Sequence, residues 1–223
     1  MLSMTNAMPT IIIPKGTPVS ELAEGTLIKT TEAGAPVEFY LAKHDYESAL
    51  NGDGRQLIVR KDCYDQRQWH TSNVNVYATS AIDSWLNNVY KLYFPESLQR
   101  LISTTNFVYT QKGGISTTTT LARGVFILSG TELGLSTGGM NVEGTALPIA
   151  SLLKTVYLNG KLSDQWTRSC YASRGSVQTD QSAWYVNTSG ALYDWGVSWE
   201  HGSRPCFTLP ADAMVDDDLN IIV

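Results

Sequence analysis

The sequence has few of the residues on which enzyme chemistry depends. Its 223 residues include only three histidines, His44, His70 and His201, which fall in three separate segments. The sequence has no Gly-x-Ser-x-Gly elbow, no HExxH pair and no phosphate-binding glycine loop. We therefore predict a protein that is not an enzyme and that uses no metal ion or cofactor.

Cysteine is also scarce. Cys63, Cys170 and Cys206 are widely spaced, with no CxxC pair and no histidine at a metal-ligand spacing. Free, mostly buried thiols are favoured, because disulfides are rare in proteins made in a reducing cytosol. Two alternatives stay open, a Cys170–Cys206 disulfide and a reactive pair of Cys206 with His201.

Charge is low and of the wrong sign for nucleic acid. Charged residues make up 17% of the sequence, and the formal net charge is -5. Nucleic-acid affinity depends on clustered Lys and Arg that release counterions, so we expect no nucleic-acid partner. No apolar run approaches the ~20 residues that cross a bilayer, and Met1 to Pro9 lacks the features of a secretory signal. We expect neither membrane insertion nor signal-dependent export.

The beginning of the chain differs from the remainder. Three prolines, Pro9, Pro14 and Pro18, surround the apolar run Ile11–Ile13. Proline removes a backbone donor and restricts the residue before it to extended conformations. We predict an extended N-terminal arm over residues 1–20 that docks on neighbouring subunits, with packing on its own domain as the alternative. A single domain follows over residues 21–223, a size that commonly folds as one unit.

Strand and helix patterns alternate along this domain. Strand patterns dominate residues 25–60 and 125–210, and helix patterns occur near residues 80–90, 95–103 and 148–157. The predicted fold class is α+β, with a twisted mixed or antiparallel sheet, two to four packed helices and long C-terminal loops.

Three local signals refine this prediction. Ser80 is placed to cap the N-terminus of the first helix. Ser129 and Glu132 have the spacing of a capping box for a short helix. The helix near residues 148–157 is expected to stop at Asn159-Gly160.

Aromatic and arginine-containing motifs concentrate in the last quarter of the sequence. They are Trp166-Thr167-Arg168-Ser169, the stretch from Trp184 to Leu192, and Gly202-Ser203-Arg204-Pro205-Cys206-Phe207-Thr208-Leu209-Pro210. An arginine in such company presents its five donors to backbone carbonyls or to a carboxylate. We therefore predict buried structural roles for Phe126 and for the motif residues Trp85, Trp166, Arg168, Arg204, Pro205 and Phe207.

Together with Ser80 to Asn87 and Val125 to Glu132, these motifs resemble an uncharacterised domain family encoded mostly by bacteriophages, prophages and gut Firmicutes. The resemblance spans roughly residues 25–212. It implies a relative of the C-type-lectin-like fold shared by formylglycine-generating enzymes and phage receptor-binding variable proteins. Cys170 and Cys206 do not reproduce the closely placed cysteine pair of those enzymes, which argues against their oxidase activity.

Two loops near the C-terminus form the predicted recognition surface. Residues 171–182 and 194–203 flank a hairpin predicted over residues 183–193, with its turn at Asn187 to Gly190, and antiparallel pairing brings the loops together. Aromatic side chains supply large contact area at low entropy cost. The candidate ligand-binding residues are Tyr171, Arg174, Gln178, Asp180, Tyr193, Trp195, Trp199, Glu200 and His201.

The predicted function is a non-enzymatic bacteriophage structural protein on the virion surface, for tail or fibre receptor binding or for capsid decoration. We expect it to be made in the host cytoplasm, to form a homo-oligomer, and to contact other virion subunits through its arm. The C-terminal loops would bind a host surface glycan or protein. A bacterial carbohydrate-binding module and a diverged cysteine-dependent oxidase are the alternatives.

Overall fold

A computed structural model describes residues 16–113, 115–172 and 181–222. The helices are short: α1 (Ser48–Asn51), α2 (Ala81–Asn88), α3 (Glu96–Leu101) and α4 (Ala150–Leu153), with 3₁₀ helices at Val19–Glu21, Tyr77–Thr79 and Tyr90–Tyr93. The strands are β1 (Thr17–Pro18), β2 (Leu27–Glu32), β3 (Ala35–Lys43), β4 (Arg55–Arg60), β5 (Asp65–Gln68), β6 (Thr105–Thr110), β7 (Thr118–Arg123), β8 (Val125–Phe126), β9 (Val156–Leu158), β10 (Lys161–Ser163), β11 (Gln165–Cys170), β12 (Ser182–Val186), β13 (Leu192–Gly196), β14 (Glu200–Ser203), β15 (Cys206–Pro210), β16 (Met214–Val215) and β17 (Ile221–Ile222).

These strands form several antiparallel sheets around one core. The largest has the order β2-β3-β4-β15-β8 and joins the two strand-rich parts of the chain. A three-stranded sheet, β11-β12-β13, carries the aromatic motifs, and β14 pairs with β5. Smaller sheets pair β6 with β7, β9 with β10, and β16 with both β1 and β17. The predicted α+β class is confirmed, with the strands divided among several sheets.

The core contains most of the predicted scaffold residues. Phe126, Trp166 and Phe207 are buried as predicted. Trp85 is only half-buried, because α2 turns Ile82 and Leu86 into the core and leaves Trp85 at its margin. The Arg67 guanidinium covers this indole, with its carbon 3.1 Å from the ring centroid.

A buried ion pair lies at the centre of the structure. Arg168 on β11 donates to Glu132 through Nη1 (2.6 Å) and Nη2 (2.9 Å), and both side chains are fully buried. Arg168 also donates to the backbone carbonyls of Val108 and Ile127, both at 3.1 Å. Burial alone would lower the pKa of Arg168, but the Glu132 carboxylate raises that pKa well above its ordinary value. Arg168 thus has the kinds of partner predicted for it, a carboxylate and backbone carbonyls.

The capping signals have the predicted bonds. Ser80 Oγ accepts from the Asp83 amide at the start of α2 (3.1 Å). The Ser129 amide donates to Glu132 Oε2 (2.9 Å), and the Glu132 amide donates to Ser129 Oγ (3.1 Å). This reciprocal pair closes a turn and does not start a helix, since Glu132 is drawn into the ion pair with Arg168.

The predicted helix near residues 148–157 is mostly wrong. Helix α4 covers only Ala150–Leu153, and Val156 begins β9 of a hairpin. Asn159 and Gly160 form the turn of that hairpin, with φ angles of 51° and 76°. An Asn-Gly pair with both φ angles positive fits the twist of a two-residue hairpin turn. Here the pair forms such a turn and does not end a helix.

The predicted arm is described only at its end. Thr17 and Pro18 pair with β16, and Val19 is buried with its amide bonded to the Ala213 carbonyl (2.7 Å). These residues pack on their own domain. Residues 1–15 lie outside the described part of the chain, so docking of the arm on other subunits stays a prediction.

We expect Arg168→Met to lower the free energy of unfolding by about 3–5 kcal/mol, because it leaves the Glu132 carboxylate buried without its cation. Chemical denaturation measures the change. The double variant Arg168→Met/Glu132→Met should recover part of the loss. A single variant as stable as the wild type would contradict the structural role of the pair.

Candidate recognition site

The site is built on the β12–β13 hairpin, whose predicted position is confirmed. Val186 pairs with Leu192 and Ser182 with Gly196. In the turn, Asn187 Oδ1 accepts from the amides of Ser189 (2.9 Å) and Ala191 (3.0 Å), as Asn side chains do in tight turns. The hairpin therefore presents its outer strand, β13, on a regular frame.

Three aromatic side chains project from β13 and from the turn that follows it, and we call them the aromatic face: Tyr193, Trp195 and Trp199. They are 53%, 47% and 61% exposed, respectively. Tyr193 and Trp195 are two residues apart on β13 and so point to the same side of the sheet. The indoles of Trp195 and Trp199 meet edge to face, with centroids 5.8 Å apart. Both indoles are therefore accessible to solvent.

The geometry around Trp199 depends on a glycine. The Trp199 amide bonds to the Gly196 carbonyl (3.0 Å), which closes a tight turn after β13. A Cβ atom on Gly196 would lie 3.3 Å from Trp199 Cδ1, closer than most side chains tolerate. The Trp199 indole therefore rests over the backbone at Gly196.

A polar cleft of about 540 Å³ opens beside this turn. It is lined by Asn73, Gln181, Ser182, Asp194, Trp195, Gly196, Ser198 and Trp199. Asp194 is the one charged residue of that lining among the described residues. Burial raises the pKa of Asp194 above its ordinary value. The cleft can thus offer hydrogen-bonding groups and an indole to the same ligand.

The prediction of a loop over residues 194–203 is wrong. Residues 194–196 belong to β13, and Glu200–Ser203 form β14, which pairs with β5 from Glu200↔Gln68 to Ser203↔Asp65. The segment is rich in glycine and polar residues, which is typical of loops. Its strand partner lies more than a hundred positions away in sequence, where local patterns carry no information.

His201 does not lie on the aromatic face. Its Nδ1 bonds to Asp164 (2.5 Å), and its ring stacks on Tyr185 at a centroid distance of 4.1 Å. Burial alone would raise the pKa of Asp164, but the hydrogen bond and charge of His201 lower that pKa overall. His201 Nε2 is buried without a partner among the described residues. The His201 side chain thus packs β14 against strands β11 and β12.

The other candidate residues are dispersed. Tyr171 is half-buried and stacks on Trp184, with centroids 5.2 Å apart. Glu200 is exposed but lines a separate cleft with Arg67 and Thr71. The remaining three candidates, Arg174, Gln178 and Asp180, lie outside the described residues.

The cysteines are free and buried, as predicted, and Cys170 and Cys206 form no disulfide. Burial raises the pKa of Cys63 to about 12 and raises the pKa values of Cys170 and Cys206 as well. Cys206 Sγ contacts the Phe126 carbonyl (3.2 Å), whereas His201 is bonded to Asp164. This geometry gives no support for a reactive pair of Cys206 with His201.

Arg204 is also buried, and its bonds go mainly to backbone carbonyls. It donates to three backbone carbonyls: Nε to Arg60 (2.7 Å), Nη1 to Leu153 (2.6 Å) and Nη2 to Lys61 (2.7 Å). Burial lowers the pKa of Arg204 to about 10. The neighbouring Pro205 is buried, and its carbonyl accepts from the Arg60 amide (3.0 Å).

Residues 53–211 match the family described as "Domain of unknown function (DUF6273)". The match covers more than half of the chain, and the chain belongs to this family. The prediction of an uncharacterised domain family is therefore confirmed at this level. No curated protein and no solved structure matches the chain. Within the described residues, no helix is long and apolar enough to cross a membrane, and no three His, Cys, Asp or Glu side chains are grouped to hold a metal ion.

Several residues of the cleft lining are not among the candidates predicted from the sequence. Asp194 could have been found, because it alternates with Tyr193 and Trp195 along a strand. Asn73 had no such signal, since it reaches the cleft from a distant segment between β5 and α2.

We expect the native protein to react with Ellman's reagent far more slowly than the denatured protein, which should expose three thiols per chain. The thiolate is the reactive form, and burial both suppresses it and blocks access. Absorbance at the released thionitrobenzoate band measures the reaction. Rapid labelling of one cysteine in the folded protein would contradict the buried placement of the thiols.

Proposed function

We propose that this protein is a non-catalytic recognition domain that binds carbohydrate through the aromatic face. As the resemblance to phage and prophage proteins implies, we place it on the outside of a bacteriophage particle, where the ligand would be a host surface glycan. The observation that carries the proposal is the pair of exposed indoles, one on β13 and one in the turn that follows it, beside a cleft with hydrogen-bonding groups.

Exposed indoles are unusual on a protein surface unless a partner covers them. Trp is enriched at the energetic centres of binding interfaces and depleted from ordinary surfaces. The face of a sugar ring presents C–H groups that pack on a flat aromatic ring, while its hydroxyls require hydrogen-bond partners. Trp195 and Trp199 offer the flat rings, and Asn73, Gln181 and Asp194 line the adjoining cleft with polar groups.

The arrangement along β13 suits an extended ligand. Residues two apart on an antiparallel strand are separated by about 7 Å, so Tyr193 and Trp195 form neighbouring platforms on one side of the sheet. Trp199 extends the aromatic surface around the turn. A chain of several sugar rings could contact these platforms in succession.

A bacterial carbohydrate-binding module is the second candidate, and the same aromatic face supports it. The two candidates differ in where the protein acts and not in what it binds. Recovery of the protein with purified particles after prophage induction would favour the virion role. The cysteine-dependent oxidase is not proposed, because all three described thiols are buried with raised pKa values.

We expect Trp195→Ala/Trp199→Ala to weaken glycan binding by about a hundredfold or more, since an indole at the centre of an interface contributes about 2 kcal/mol or more. Binding is measured by glycan array and then by calorimetry with the glycan that the array selects. The melting temperature should stay nearly unchanged, because both side chains are largely exposed.

The matched control is Tyr157→Ala/Leu162→Ala, which removes two exposed apolar side chains from the β9–β10 hairpin, 43% and 55% exposed. It should bind the glycan as the wild type does. If the tryptophan variant instead loses only self-association, the aromatic face is a subunit interface and the carbohydrate proposal is wrong.

A further inference from the structure

We infer that the glycan bound by the aromatic face contains an unacetylated amino sugar, whose ammonium group is held between the Asp194 carboxylate and the Trp199 indole. This inference rests on the proposed function and adds the chemistry of the ligand. It depends on three observations: where Asp194 points, what it lacks as a partner, and which ring shares its cleft.

Asp194 and Trp199 are brought together at the cleft beside the turn that follows β13. Side chains alternate along a strand, so Asp194 points away from the side of Tyr193 and Trp195 and towards the side of Gly196. The Trp199 indole reaches both sides at the end of the strand, since its Cδ1 is 3.3 Å from where a Cβ on Gly196 would stand and its ring meets the Trp195 indole edge to face at 5.8 Å. Asp194 and Trp199 both line the cleft of about 540 Å³.

Asp194 has no cationic partner among the described residues. Several other carboxylates of the domain have one: Asp83 pairs with Arg123 (2.8 Å), Asp164 with His201 (2.5 Å), and Glu132 with Arg168 (2.6 Å). The buried Glu143 has no cation, but it accepts hydrogen bonds from the Thr110 amide (2.7 Å) and the Ser169 hydroxyl (2.8 Å). No described side chain forms a salt bridge or hydrogen bond with the Asp194 carboxylate, which is only half-exposed. A partly desolvated, unpaired carboxylate is costly, and a ligand cation offsets that cost.

A carboxylate beside an indole selects for a positive charge. Ammonium groups are attracted to the face of Trp and form charge-assisted hydrogen bonds with carboxylates. Acidic ligands are disfavoured, since Asp194 is the charged residue in the described lining and the net charge of the chain is -5. The other polar lining residues, such as Asn73, Gln181 and Ser198, are neutral and suit hydroxyl groups.

The test compares three soluble oligosaccharides of equal length by calorimetry at mildly acidic pH, where the amine of glucosamine is protonated and galacturonate is still ionised: a glucosamine oligomer, the same oligomer N-acetylated, and a galacturonic acid oligomer. The wild type should bind the glucosamine oligomer about ten-fold or more tightly than the acetylated one, and should bind the acidic one least. Asp194→Asn keeps the shape of the side chain and removes its charge, so it should abolish the preference for the free amine. Raising the salt concentration should weaken the amine-dependent part of the affinity.

Asp53→Asn is the matched control, because Asp53 is an exposed acid outside the lining of the cleft. It should keep the preference. A thermal melt verifies that Asp194→Asn is folded, which we expect since it removes no described side-chain bond.

Two outcomes separate the inference from the proposed function. If acetylated and free amines bind equally, Asp194→Asn has no effect, and the tryptophan variant still fails to bind, then the inference is wrong and the carbohydrate proposal stands. If no glycan on an array of neutral, amino and acidic sugars depends on Trp195 and Trp199, then both are wrong.

Discussion

The buried pair of Arg168 and Glu132 is the interaction on which the arrangement of the sheets depends. Arg168 belongs to β11 of the aromatic three-stranded sheet, while Glu132 follows β8 of the five-stranded sheet. Tyr46 also donates to Glu132 (2.5 Å), so β3 and β4 are tied to the same carboxylate through the segment that joins them. Breaking such a pair leaves a charge without compensation in the core, and therefore the two sheets hold one relative position.

His201 connects the hairpin that carries the aromatic face to the neighbouring strands. His201 was predicted to face a ligand, but it stacks on Tyr185 of β12 and packs against Trp166 of β11, with centroids 4.4 Å apart in the second case. Its bond to Asp164 joins β14 to the segment before β11. The aromatic residues thus divide into an inner group that holds the hairpin against its neighbours and the exposed aromatic face of Tyr193, Trp195 and Trp199.

What could be predicted from the sequence depends on the distance between interacting residues along the chain. The Ser80 cap, the hairpin turn at Asn187 and the burial of Trp166 follow from neighbours within a few positions, and all three are correct. Strand β14 was taken for a loop because its partner β5 is remote in sequence. The cleft was missed for the same reason, since Asn73 joins residues 181–199 only after folding.

The remote origin of the cleft has a thermodynamic consequence. Because Asn73 and Trp199 come together only in the folded chain, a ligand that fills the cleft binds the native state and not the unfolded one. Binding energy then appears as folding energy, about 2.7 kcal/mol when the free ligand is a hundred times its dissociation constant. The natural ligand need not be known in advance, because any compound that binds in this cleft raises the melting temperature of the whole domain.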